Sequence, residues 1–254
     1  MVGAVMSRGV FPAITAVVRG VPTVGVEGAD LERFLARDGV RKVSARDIPA
    51  AMVQARDGAT TVAASLLLAH AAEISVFATG GIGGVHRDAP FDESADLAEL
   101  GHTPMIVVCA GAKSILDLPA TWERLESLGI PVVGYRTDQL PGFFTAETGI
   151  GLDVTAEHPE EIAAIYAAHR KLGRSQSILV VQPPPAAHAL PRQRVESAVE
   201  QAQRDARAAG IRGAAVTPFL LAAVTRLTEG GSLAANIALL EQNAALAAEI
   251  ALVS

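Results

Sequence analysis

The sequence predicts an α/β fold: a central, mostly parallel β-sheet with helices on both faces and a helical C-terminus. Three observations predict it. Short apolar runs alternate with amphipathic segments along the chain. The strongest runs, at 105–110, 132–135 and 178–181, are apolar throughout, as expected of buried strands. Alanine and valine dominate while aromatics are only 4% of residues, which suits close helix–sheet packing.

Each element has its own reason. Residues 13–18 read as a strand. Residues 30–38 are helix-like, with Leu31, Phe34 and Leu35 on one face. Gly58-Ala59-Thr60-Thr61 opens a helical stretch over 62–72, rich in Ala and Leu. A strand at 74–78 ends in Thr79-Gly80-Gly81-Ile82-Gly83-Gly84. Ser94 is a candidate cap for a short helix to Leu100. After the 105–110 strand, 114–128 is helical, entered late because of Pro119. A strand at 132–135, a helix at 159–172 and a strand at 178–181 follow, the last stopped by Pro183-Pro184-Pro185. Residues 195–209 are strongly helical, and the tail from Pro218 to Val253 reads as two helices joined at Glu229-Gly230-Gly231-Ser232. No stretch has the composition of a domain linker, so residues 1–254 are expected to form one domain.

The composition excludes several function classes. The formal net charge is −6, with no basic block, so nucleic acid is not expected as a partner. An anionic small substrate stays compatible, because a site needs only local positive charge. Cys109 is the sole cysteine, which rules out an intrachain disulfide and a cysteine metal cluster. A reducing, cytoplasmic setting is expected. Arg8 and the apolar residues after it loosely imitate a signal peptide, but no small-x-small cleavage site follows and Pro12 interrupts the run. No segment is apolar for long enough to span a bilayer, so no membrane is expected.

Lys113 is the most informative candidate. It follows the 105–110 strand and the small residues Gly111 and Ala112, at the strand end where open α/β sheets bind ligands. Desolvation there would favour its neutral amine, the form that attacks carbonyl carbon. A surface lysine at a helix start is the competing reading. The glycine-rich segment after the 74–78 strand can turn backbone N–H groups toward an anion, with His86 and Arg87 adding charge, or it is a bare turn. It fits a dinucleotide fingerprint poorly. Asp92 and Asp96, at i and i+4 on a helix, would share a face suited to a hard divalent cation, or would simply complement the helix dipole. Lys42 and Arg46 are phosphate-holding candidates or a solvated basic turn. Asn236 is a polar contact or a helix-surface residue.

Several segments together resemble the pseudouridine-5′-phosphate glycosidases and the indigoidine synthase A-like proteins related to them. They are Lys42-Val43-Ser44-Ala45-Arg46-Asp47-Ile48-Pro49, Asp57-Gly58-Ala59-Thr60-Thr61-Val62 and Phe77 through Arg87. Phe91-Asp92-Glu93-Ser94-Ala95-Asp96-Leu97, Val108 through Asp117 and Thr217-Pro218-Phe219-Leu220-Leu221 complete the match, which runs from about Gly9 to the end.

The resemblance implies reversible cleavage of the C–C glycosidic bond of pseudouridine 5′-phosphate to uracil and ribose 5-phosphate, in pseudouridine catabolism. It implies Lys113 as the nucleophile that forms a Schiff base with the ring-opened sugar. It implies Lys42, Val62 and the run Ser94, Ala95 and Asp96 as substrate contacts, with His86 at the phosphate or sugar. Asp92 is implied as the ligand of one Mn2+ per subunit, for which Mg2+ is an alternative, and the assembly as a homotrimer. The family's proton-donating glutamate lies in an N-terminal segment that has no counterpart here; Glu27 and Glu32 do not match it. A truncated start, with a sheet edge or core face left uncovered, is therefore expected. An inactive phosphosugar-binding paralogue and a phosphosugar aldolase are the alternatives.

Overall fold

The computed structural model describes residues 1–37, 39–87 and 91–254. The chain begins with a short helix, α1 (Val2–Met6), then a hairpin of β1 (Thr15–Val18) and β2 (Val21–Val24). Arg19 and Gly20 turn the hairpin with φ of 49° and 81°, the left-handed pair that matches strand twist in a two-residue loop. Next come α2 (Gly28–Ala36), β3 (Arg41–Val43), α3 (Ile48–Val53) and β4 (Gly58–Thr60). These strands form a sheet in the order β2-β1-β4-β3, antiparallel except for the β3–β4 pair.

The remaining chain alternates. It runs through α4 (Val62–Ala71), β5 (Val76–Ala78), α5 (Ala95–Leu100), β6 (Ile106–Cys109), α6 (Leu118–Ser127) and β7 (Val132–Tyr135). It continues with β8 (Thr155–Ala156), α7 (Pro159–Lys171), β9 (Ile178–Val181), α8 (Arg192–Ala208), α9 (Val216–Leu227) and α10 (Gly231–Ala251). Five of these strands form a second, wholly parallel sheet in the order β5-β6-β9-β7-β8.

The expected parallel sheet is therefore present, and a second sheet stands beside it. The smaller sheet is hard to read from sequence because β3 and β4 have three residues each and most positions in β2 and β3 are not buried. The large sheet announces itself because β6 and β9 lie at its centre, with all eight of their side chains 0% exposed. Ile106, Val108, Ile178 and Val180 pack with Ile162 of α7 and Leu246 and Ile250 of α10. Val107, Cys109, Leu179 and Val181 pack on the other face with Val195 and Val199 of α8 and Val224 of α9. Helices on both faces remove the polar alternation that a one-sided sheet would show. Each large aliphatic side chain so buried stabilises the fold by roughly 1.5–3 kcal/mol.

Helix α4 joins the two layers. Val62, Leu66 and Ala69 belong to the large core, while Ala64 and Leu68 pack with Val17, Val43 and Ile48 against the small sheet. A helix apolar on all sides is a buried one. Beside it an apolar cleft of about 680 Å³ is walled by Phe11, Ile14, Phe34, Phe77 and Ala247. No helix among the described residues is long and apolar enough to cross a membrane. Helix α6 starts at Leu118, as Pro119 foretells, with the Asp117 carboxylate accepting from the Ala120 N–H at 2.9 Å.

One buried polar network fixes α10 to the sheet. The Gln182 side-chain amide, just past β9, donates to Asn243 Oδ1 at 2.9 Å. Asn243 Nδ2 donates to the Thr79 carbonyl at 2.9 Å, where β5 gives way to the glycine-rich loop. Both side chains are buried. Asn243→Ala strands the Gln182 amide and is expected to destabilise the protein by about 1–3 kcal/mol, read as a lower midpoint in chemical denaturation.

Candidate active site

The site forms where β5 and β6 end side by side. Their pairing continues past the strands: Ala110 N–H donates to Gly80 O at 2.9 Å, Ile82 N–H to Gly111 O at 3.1 Å and Lys113 N–H to Ile82 O at 3.2 Å. The glycine-rich loop and the Lys113 segment therefore leave the sheet as one ladder. Four glycines of this region, Gly81, Gly83, Gly84 and Gly111, leave no room for a Cβ. Gly111 has φ of +84°, and a Cβ there would strike the Pro141 carbonyl. A Cβ on Gly81 would lie 2.6 Å from the Phe143 ring. Small residues here serve close packing of backbone on backbone.

Asp96 sits at the centre of this arrangement, 5% exposed. One carboxylate oxygen accepts from the Gly83 N–H at 2.8 Å, the other from the Ala63 N–H at 3.0 Å. The first contact ties down the glycine-rich loop. The second places a negative charge at the N-terminus of α4, where the helix dipole favours it. Thr61 caps the same helix, its hydroxyl accepting from Ala64 N–H at 3.3 Å. The Val62 N–H has no acceptor among the described residues.

Lys113 is half-buried, and its side chain makes no hydrogen bond or ion pair among the described residues. Burial pushes its amine below the ordinary lysine value of 10.5; the Asp96 charge opposes that shift and the Lys42 charge adds to it. Lys113, Asp96 and Lys42, far apart in sequence, thus act on one another. Lys42 comes from β3, where it pairs in register with Ala59 of β4. The neighbouring Val43 carbonyl accepts from Thr61 N–H at 2.9 Å, which fixes β3 beside the start of α4.

The other candidates divide. Ser94 caps α5, its hydroxyl accepting from Asp96 N–H at 3.2 Å, and its own N–H donates to Gly84 O at 3.0 Å. Ala95 follows, exposed, and Val62 is buried. His86 N–H donates to the Asp92 carbonyl at 2.9 Å; residues 88–90, between them in sequence, lie outside the described residues. Asp92 and Asp96 do not share a helix face as their spacing suggests. Helix α5 begins only at Ala95, so Asp92 stands exposed before it and Asp96 is buried inside it. Arg46 is paired with Asp47 at 3.5 Å. Asn236 is half-buried on α10 beside Gly80, where a Cβ would lie 3.4 Å from its Oδ1. Arg87, read from sequence as added charge for an anion, turns instead to the carbonyls of Ser114 and Leu116. Cys109 is a core residue, its thiol pushed up to about 12 by burial.

Among the described residues of this segment a divalent cation has one free carboxylate, Asp92. Glu93 is paired with Arg124 at 2.8 Å and both Asp96 oxygens hold backbone amides. Among the described residues no three His, Cys, Asp or Glu side chains gather as a metal cage. Asp92 alone suits a hard cation that keeps most of its water, not one held by protein ligands.

Fold and site together define an α/β protein with a desolvated lysine at a parallel strand end. Residues 1–253 match the family model described as indigoidine synthase A like protein, and the chain belongs to that family. It is 62% identical to a pseudouridine-5′-phosphate glycosidase of Gemmatimonas aurantiaca, over 99% of this chain and 82% of that protein. A glycosidase of the same name from Herpetosiphon aurantiacus is 53% identical, over 97% of this chain and 82% of its own length. Among solved structures, an indigoidine synthase A-like protein from Thermotoga maritima aligns with a TM-score of 0.91 at 35% identity, covering 98% of this chain and 83% of that one. A prealnumycin C-glycosynthase in complex with ribulose 5-phosphate aligns with a TM-score of 0.92 at 36% identity, covering 99% and 85%.

Because the Lys42 charge pushes the Lys113 amine down, Lys42→Met should raise the pH at which Lys113 becomes reactive. The check is reductive methylation of Lys113 across pH without substrate, followed by peptide mass spectrometry. An unchanged midpoint would separate the two lysines.

Proposed function

We propose that this chain catalyses reversible cleavage of the C–C glycosidic bond of pseudouridine 5′-phosphate, giving uracil and ribose 5-phosphate. The observation that carries the reading is the half-buried Lys113 at the strand end, with its amine pushed toward the neutral form. The names of the relatives support the substrate, and the ribulose 5-phosphate complex of the C-glycosynthase supports a phosphosugar.

In this reading residues 1–254 work as one catalytic unit in the cytoplasm, assembled as a homotrimer. The neutral Lys113 amine attacks C1′ of the sugar. The new C–N bond forms as the C1′–O4′ bond breaks, and the ring oxygen takes up the amine proton. The nitrogen lone pair then forms the C=N bond as the C1′–C5 bond to uracil breaks. The electron pair goes to the uracil carbon, which takes a proton. Water hydrolyses the imine to release ribose 5-phosphate and free the lysine.

Lys42 and the unpaired Val62 N–H, at the positive end of α4, suit the phosphate or sugar oxygens. Ser94, Ala95 and Asp96 shape the wall beside them, and His86 contacts the phosphate or sugar. Asp96 keeps a negative charge near the lysine, which favours the cationic imine. Asp92 would hold Mn2+, or Mg2+ in its place, through a largely water-filled shell. When bound, such a cation neutralises phosphate charge and orients its water ligands. The proton for uracil requires a general acid, and none of the residues named above is assigned that part.

Three outcomes are expected. Lys113→Ala abolishes uracil release, which normal turnover of that variant would contradict. Activity rises with pH along a limb whose midpoint lies below the ordinary lysine value, since only the neutral amine attacks. In stability the sign is the same: the unfolded chain binds the Lys113 proton more tightly, so stability rises as pH climbs from the lowered folded value toward 10.5. The proton donor is located by assaying the 254-residue chain beside an N-terminally extended version. Equal rates place the donor within these residues; activity only in the longer form places it in the extension.

A further inference from the structure

The geometry points to Arg87 as the positioning residue of the Lys113 segment: its guanidinium clamps the backbone carbonyls just after Lys113 and anchors them to α8. This rests on the reading of Lys113 as the nucleophile.

The segment that carries Lys113 is irregular between β6 and α6, so neither a strand nor a helix fixes it. The glycine-rich loop and the Val85 carbonyl that follows it fix the amide side. Lys113 N–H donates to Ile82 O at 3.2 Å and Asp117 N–H to Val85 O at 2.9 Å. The carbonyl side is met by Arg87. Its Nε donates to the Leu116 carbonyl at 3.0 Å and one terminal nitrogen to the Ser114 carbonyl at 3.1 Å. The other terminal nitrogen donates to Glu196 of α8 at 2.6 Å. The Ser114 hydroxyl is buried without a hydrogen-bond partner among the described residues, so among them the backbone supplies the polar hold at that residue.

Arginine suits this task and lysine does not. A guanidinium presents five donors in one rigid plane, which lets it meet two carbonyls and a carboxylate at once. An ammonium is a point charge on a flexible stem. The Arg87 side chain is 19% exposed and Glu196 is 48% exposed, so the ion pair itself adds little to stability. Its effect is geometric. It sets where the guanidinium sits, and the guanidinium sets the peptide groups that follow Ser114 and Leu116, just after Lys113. Arg87 and Glu196 wall a polar cleft of about 500 Å³ that also takes in Ser114 and Asp117. Positioning from such a wall acts on rate, because small displacements of a nucleophile cost near-attack geometry.

The test uses the whole chain with Arg87→Ala, Arg87→Lys and Glu196→Gln, and two readouts. The first is kcat and KM for uracil release from pseudouridine 5′-phosphate. The second is the pH midpoint of Lys113 methylation by formaldehyde and cyanoborohydride without substrate. Arg87→Ala is expected to lower kcat about 100-fold with KM little changed. Its Lys113 midpoint should move up toward the ordinary lysine range as water reaches the loosened segment. Added guanidinium ion should restore part of that rate, and Arg87→Lys should recover it only in part. An Arg87→Ala protein that folds and keeps both the parental kcat and the parental midpoint overturns the proposal. If Arg87→Ala does not fold, Arg87→Lys and Glu196→Gln decide: unchanged kcat and midpoint in both overturn it, a shift in either supports it. If the parent chain releases no uracil, the functional reading alone fails. The methylation midpoint then decides for Arg87: a shifted midpoint supports its positioning part and an unchanged one overturns it.

Discussion

The two hydrogen bonds accepted by the Asp96 carboxylate are the constraint on which the rest of the site depends. Through Gly83 they hold the glycine-rich loop, and through Ala63 they hold the start of α4. A buried carboxylate is costly unless its lone pairs are met. Here two backbone amides and the positive end of α4 meet them. The loop and the helix cannot part without leaving that charge unpaired. Lys113, whose amide is carried by the same loop, is held within reach of the Asp96 charge by this arrangement.

That proximity sets a balance. Desolvation lowers the pKa of the lysine, and Lys42 pushes the same way. Asp96 opposes both. In the proposed reaction Lys113 must be neutral to attack and cationic as an imine, and an opposing charge that neither salt-bridges it outright nor leaves it unaided serves both states. The absence of any hydrogen bond to the Lys113 amine among the described residues agrees with this, since a direct ion pair would favour the protonated form.

The two-sheet architecture explains how Lys42 enters. The small sheet is attached to the large one through α4, which is buried by both cores. Strand β3 delivers Lys42 beside β4, and the chain turns from β4 directly into α4 at Thr61. The anchor at the other end of the site comes from the C-terminus. Helix α10 reaches the loop through Asn243 and presents Asn236 beside Gly80.

The sequence by itself determined the parallel sheet, because a strand covered on both faces must be apolar at every position, and β6, β7 and β9 are. It also marked the strand-end lysine and the late start of α6, since Pro119 and the capping Asp117 are local signals. It resolved neither the small sheet, whose strands are too short and too exposed for a pattern, nor the placement of Asp92, whose spacing to Asp96 assumed a helix that starts three residues later. Which charges face Lys113, and that Arg87 turns to two backbone carbonyls and the Glu196 carboxylate, were decided only by tertiary structure. Electrostatic and hydrogen-bond partners depend on distance in space, and Lys42, Asp96 and Lys113 are brought together by pairing and packing that no local stretch of sequence records.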